Sequence, residues 1–192
     1  MSGAWSTRFG CSDRASPREQ PPVMTTQWHQ AFDGLEKAPL IAEELGNSQE
    51  AKRFGARLAT WAREGETIGF VGPLGAGKTT IIQGMVQALS DGAWRATSPT
   101  YALVQVYECQ PEVIHMDLYR LEGFAELETI GYWDYVESRR GICVVEWIDQ
   151  ITGAWPGRGA VVKVERQGDS HRAELWGDAR WASRVNETRI EV

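Results

Sequence analysis

Along this chain, short unbroken apolar runs alternate with longer stretches in which apolar residues recur at helical spacing. Thr67-Ile68-Gly69-Phe70-Val71 and Ile142-Cys143-Val144-Val145 are unbroken runs, the pattern of strands buried on both faces of a parallel sheet. Ala51, Phe54, Leu58, Ala59 and Ala62 recur at helical spacing, as do Ile81, Ile82, Met85, Val86 and Leu89. The first of these helices has a start signal, Asn47 with Glu50 three residues on, and Gly65 ends its pattern. Leu103-Val104-Gln105-Val106-Tyr107 and Val113-Ile114-His115-Met116 read as further strands, the second ending at Asp117. Phe124 to Ile130 and Tyr132 to Val136 read as short helices parted by Gly131. Ala160 to Glu165 and Ala173 to Trp176 pair as a hairpin across Gln167-Gly168-Asp169, and a short strand is expected between Trp28 and Leu40.

Strands alternating with helices in this way specify an α/β fold: a three-layer sandwich with a mostly parallel central sheet, here with a C-terminal β-hairpin. The folded domain is expected over residues 27–177. Residues 1–26 are rich in Ser, Arg and Pro with no helix or strand period, and read as a disordered extension. Residues 178–192 carry a weak helical spacing in Trp181 and Val185 that leaves their structure undecided.

Composition narrows the classes of function. A length of 192 residues, 42% of them hydrophobic, suits one domain with a substantial core. The formal net charge of -6 argues against autonomous nucleic-acid binding, which depends on an excess of Lys and Arg to neutralise phosphates. Cys11, Cys109 and Cys143 show no CxxC spacing, so neither a zinc site nor a disulfide framework is expected, and a reducing, cytoplasmic setting fits. No apolar run approaches the ~18 residues of a membrane span, so no membrane partner is expected. His29, His115 and His171 have no metal-ligand spacing, and His115 within its strand reads as structural.

The chemistry concentrates in Gly72-Pro73-Leu74-Gly75-Ala76-Gly77-Lys78-Thr79-Thr80, which fits GxxxxGK[ST] between a strand and a helix and so reads as the phosphate-binding loop of a P-loop NTPase. Gly75, Ala76 and Gly77 let consecutive backbone N–H groups approach phosphate oxygens. The helix start adds its unpaired N–H groups and positive dipole end. Lys78 is placed for the terminal phosphates, Thr79 for Mg2+, and Thr80 completes the nucleotide contacts. Hydrolysis or transfer also needs a carboxylate near the metal and the attacking group. Glu146, at the end of the second unbroken run, takes that catalytic and metal-holding role, with Asp117 as sensor or second carboxylate. Each has a plainer reading as an acid that merely follows a strand. Thr100 is either a switch-loop hydroxyl for Mg2+ or the terminal phosphate, or a turn-former beside Pro99; Arg120 is a phosphate partner, a protein contact or the partner of Asp117.

Four landmarks taken together, GPLGAGKTT, SPTY at Ser98 to Tyr101, HMDLYRL at His115 to Leu121 and VVEW at Val144 to Trp147, resemble the TsaE (YjeE) family. Their order and approximate spacing match from about residue 47 to residue 165. The resemblance implies a fold that binds ATP and Mg2+, hydrolyses slowly alone, and works with the TsaB and TsaD proteins in forming threonylcarbamoyladenosine beside the anticodon of tRNA. It implies contact with tRNA only through that complex. It also implies nucleotide-site roles for Lys78, Thr79, the Ser98 to Thr100 segment, Asp117 and Glu146. Two positions depart from the pattern: Pro73 stands where the family often has an acid, and Ala51 where it commonly has threonine, a candidate contact to the base. Two other readings stay open from the residues: a P-loop kinase with Arg120, Arg139 or Arg140 as clamps, and a GTPase-like switch, although no NKxD-like guanine signature appears.

Overall fold

The run at residues 67–71 forms a strand with every residue buried, and the reason is its place at the centre of a covered sheet. The structure, a computed structural model, describes residues 31–190. Within them the chain forms β1 (Ile41–Leu45), α1 (Ser48–Trp61), β2 (Thr67–Val71), α2 (Lys78–Leu89), β3 (Val104–Tyr107), β4 (Val113–Asp117) and α3 (Phe124–Thr129). It continues through α4 (Tyr132–Ser138), β5 (Ile142–Glu146), β6 (Gly159–Gln167), β7 (Ser170–Gly177) and α5 (Ala179–Ile190). The seven described strands make one sheet in the order β1-β7-β6-β2-β5-β4-β3. β2 lies parallel to β5 and β6, and β5 parallel to β4, while β3 pairs antiparallel with β4 and β7 antiparallel with both β6 and β1.

Helices cover both faces, which makes the three layers. On one face Phe54 and Leu58 of α1, Ile81, Ile82 and Met85 of α2, and Trp181 and Val185 of α5 pack on Ile68, Phe70, Val144 and Val162. On the other, Leu127 of α3 and Tyr132 and Val136 of α4 pack on Ile114, Met116, Cys143, Val145 and Val161. Successive residues of a strand point to opposite faces, so β5 must be apolar at every position before Glu146 to satisfy both layers. The mostly parallel centre, the helices on both faces and the phosphate loop between β2 and α2 are those of a P-loop NTPase.

Local signals act where the sequence places them. The Asn47 side chain accepts hydrogen bonds from the amides of Gln49 and Glu50, both at 3.0 Å, and Glu50 returns to accept from the Gly46 amide at 2.7 Å. This reciprocal arrangement fixes the start of α1. α1 and α2 then approach so closely that a Cβ on Gly84 would lie 2.0 Å from the Lys52 carbonyl oxygen and one on Gly55 would lie 1.9 Å from that of Ile81. That contact sets the position of α2, and so of the loop that opens it.

Three readings change. Residues 31–40 form no strand; β1 begins at Ile41 because its pairing is set by β7, with Ile41 opposite Leu175, and Pro39 has no N–H to extend the ladder. The hairpin strands run longer than their apolar centres, with Gln167 opposite Ser170 across a two-residue turn. The C-terminal stretch forms α5, whose Trp181 and Val185 are buried in the main core and whose Arg184 forms an ion pair of 2.7 Å with the buried Glu66. The extension at residues 1–26 and Cys11 lie outside the described residues. Among the described residues Cys109 and Cys143 are free thiols. No helix among the described residues is long and apolar enough to cross a membrane.

Candidate functional site

Three strand ends converge beside the start of α2. In the parallel ladders Phe70 of β2 and Asp117 of β4 both lie opposite Glu146 of β5, so the carboxyl ends of these strands open together. The loop leaving β2 passes β6 at Gly72, where φ is 143° and a Cβ would lie 2.1 Å from the Val164 carbonyl oxygen; only glycine fits. The loop then turns through a bond from the Ala76 amide to the Pro73 carbonyl and enters α2 at Gly77, whose left-handed backbone carries no capping side chain. The amides of the first helical turn are therefore left for a ligand.

Facing them is a cavity of about 340 Å3, within the size range of small-ligand sites. Gly75, Ala76, Gly77, Lys78, Thr79 and Thr80 line one side, and Ser98, Thr100, Asp117 and Glu146 the other, with Leu74, Tyr119 and Trp147 at its apolar parts. The loop residues Gly75 to Thr80 thus border one space with Ser98, Thr100, Asp117 and Glu146, whereas Arg120 is not among its lining residues. Neither are Arg139 and Arg140: they precede β5 at the opposite end of the sheet, Arg139 against Gly65 and Arg140 beside Glu112. Ala51, 7% exposed, belongs to the helix-side core and does not line the cavity.

Lys78 is almost wholly buried, and its ammonium donates to the carbonyls of Gly72 at 2.8 Å and Pro73 at 3.0 Å. It also stands 3.8 Å above the centre of the Trp147 ring, which holds a cation by its π face. Burial lowers the Lys78 pKa, while Glu146, Asp117 and Asp149 oppose that shift by favouring the charge. Thr79 donates its hydroxyl to Oε1 of Glu146 at 2.8 Å, and His115 Nε2 meets the same oxygen at 2.9 Å. Asp117 accepts from Thr100 at 2.6 Å and Ser98 at 3.1 Å on one oxygen, and from the Tyr119 amide at 3.0 Å on the other. Asp117 therefore ties the Ser98–Thr100 segment to the end of β4. Arg120 stands over the Tyr101 ring at 5.4 Å.

The residues suit Mg2+. No group of three His, Cys, Asp or Glu side chains forms a metal cage among the described residues, but Mg2+ is commonly held by one or two protein oxygens plus phosphates and water. A hydroxyl and a carboxylate oxygen 2.8 Å apart beside a phosphate-binding loop are such a pair.

Three participants have no role assigned by the motifs, although His115 and Tyr119 lie within HMDLYRL. His115 joins Glu146 through neighbouring strands, a contact hidden in the sequence though legible once β4 and β5 are paired in register. Asp149, on the turn after Trp147, has its Oδ1 buried without a hydrogen-bond partner, and burial raises its pKa while Lys78 pulls it back. Tyr119 packs on Trp147 with ring centres 4.9 Å apart, closing the apolar side of the cavity.

Residues 45–174 match the family model described as threonylcarbamoyl adenosine biosynthesis protein TsaE. The tRNA threonylcarbamoyladenosine biosynthesis protein TsaE of Haemophilus influenzae is 34% identical over 137 residues, covering 70% of this chain and 85% of the relative. The protein of the same name from Bacillus subtilis is also 34% identical, over 128 residues, covering 66% of this chain and 78% of the relative. Among solved structures, that of Bacillus subtilis YdiB superposes with a TM-score of 0.64 at 24% identity, covering 79% of this chain and 96% of that one. The matched segment runs from the last residue of β1 into β7 and takes in every element that borders the cavity, and the chain belongs to the TsaE family.

Proposed function

We propose that this protein is the ATP-binding and ATP-hydrolysing component of the machinery that forms threonylcarbamoyladenosine in tRNA, with its nucleotide state read by TsaB and TsaD. The observation that carries the reading is the placement of the Thr79 hydroxyl against the Glu146 carboxylate at the mouth of the phosphate-binding loop. The loop amides and Lys78 bind the phosphates; Thr79 and Glu146 hold Mg2+, and Glu146 orders the attacking water. When bound, Mg2+ supplies charge neutralisation at the transferring phosphoryl group. Asp117 holds Ser98 and Thr100 on the far side of the phosphates, so that segment is positioned to respond to the terminal phosphate.

The exposed residues support a conformational output. Tyr101, next to Thr100, is 91% exposed, and Leu74 of the phosphate-binding loop is 67% exposed. Each is a large exposed side chain on or beside a segment assigned to the nucleotide, and each offers a partner protein a contact. The net charge of -6 argues against autonomous tRNA binding and supports contact through the assembly. Reconstituting tRNA modification from TsaB, TsaD and substrates tests the reading: the modified nucleoside should accumulate over repeated turnovers only with this protein and ATP. Equal accumulation in its absence would overturn the assignment.

A further inference from the structure

We propose that His115 is a positioning residue for Glu146, holding the carboxylate by an Nε2–H donor whose direction the register of the sheet fixes. The proposal rests on the function given above and adds to it a residue outside the phosphate-binding motifs. His115 is fully buried in β4, opposite Val144 of β5, so Glu146, two residues beyond Val144, emerges on the same face one rung further along. Nε2 and Glu146 Oε1 are 2.9 Å apart. A carboxylate oxygen only accepts, so the hydrogen lies on Nε2. Nδ1 is buried without a partner, and an unmet acceptor there is easier to tolerate than an unmet N–H, which selects the same tautomer.

Oε1 therefore carries two donors, Thr79 Oγ1 and His115 Nε2. The first is the hydroxyl assigned to Mg2+: coordination uses an oxygen lone pair and leaves the O–H to donate, so the direction of that bond is set by the cation as well as by Glu146. The second comes from a neighbouring strand in fixed register and has no such competing duty. His115 is the donor to Glu146 whose direction is set by strand register alone.

The test has two arms. In the nucleotide-free protein, two-bond 1H–15N spectra, with the His115 signal assigned by its loss in H115Q, should show a ring protonated on Nε2; protonation on Nδ1 alone overturns the proposal. In the second arm, ATP turnover with partner proteins and saturating Mg2+ is compared for wild type, H115Q and H115N. A glutamine amide nitrogen reaches the Nε2 position, whereas that of asparagine reaches only the Nδ1 position, and both place a polar amide in the same buried site. H115N should lose about 10- to 100-fold in turnover, the usual cost of removing a partner that orients a metal ligand. H115Q should recover turnover towards wild type, and nucleotide affinity without Mg2+ should be alike in both. Equal turnover in H115Q and H115N overturns the proposal, because a purely structural histidine predicts it. Wild type that hydrolyses no ATP under any of these conditions defeats the function reading instead, and the tautomer then decides the role of His115.

Discussion

The hydroxyl of Thr79 and the carboxylate of Glu146, 67 residues apart in the chain, share a hydrogen bond of 2.8 Å at the point where α2 meets the end of β5. The bond joins the phosphate-binding loop to a strand of the central sheet, and the proposed function gives Lys78 and Glu146 on its two sides different duties.

Lys78→Ala and Glu146→Gln should therefore fail differently. Loss of the Lys78 ammonium removes a charged hydrogen bond to phosphate, worth about 1.5–3 kcal/mol, or roughly 10- to 100-fold in nucleotide affinity. Glu146→Gln keeps the shape of the site and should leave ATP bound while slowing hydrolysis roughly hundredfold or more. Trp147 fluorescence, with its ring under the Lys78 ammonium, measures binding, and phosphate release measures turnover. Equal loss of affinity in both variants would contradict the division.

Asp149→Asn should stabilise the nucleotide-free protein at neutral pH. Burial raises the Asp149 pKa above its ordinary 3.8, so the folded state binds its proton more tightly than the unfolded chain does. The cost of burying the charge is fully present above the folded pKa and absent below about 3.8. Thermal midpoints of variant and wild type should differ at pH 7 and converge as the pH falls towards 4. A gap that widens on acidification would contradict the sign.

Gly84→Ala should destabilise the fold by about 1–3 kcal/mol, the usual cost of overpacking, because the added methyl would enter the Lys52 carbonyl oxygen 2.0 Å away. Denaturant unfolding measures it. A neutral result would mean that α1 and α2 separate without penalty.

Thr100→Val should weaken the coupling of the Ser98–Thr100 segment to Asp117 by removing its 2.6 Å hydrogen bond, while the phosphate-binding loop stays intact. Nucleotide affinity should hold and stimulation of hydrolysis by partner proteins should fall. Full stimulation in the variant would remove this segment from the communication path.

The central strands and the loop were legible because each answers to a local rule. β2 after Thr67 and β5 before Glu146 carry no polar side chain since both of their faces are covered, and the loop repeats a pattern fixed by the geometry of phosphate. The start of β1 was not legible, because its register depends on β7, and the pattern between Trp28 and Leu40 pointed one element too early. The helical form of residues 179–190 was only hinted at by Trp181 and Val185, whose burial depends on packing against the far core rather than on the segment's own sequence. The contact of His115 was not legible for the same reason: in one strand it is a buried histidine, and only the register of β4 on β5 brings it to Glu146.

The most direct test is ATP turnover by this protein alone, with TsaB and TsaD, and with TsaB and TsaD in the Glu146→Gln background. The account predicts slow turnover alone, a clear increase with the partners, and loss of that increase in the variant. Turnover that the partners leave unchanged, or that a small soluble acceptor raises without them, would contradict it.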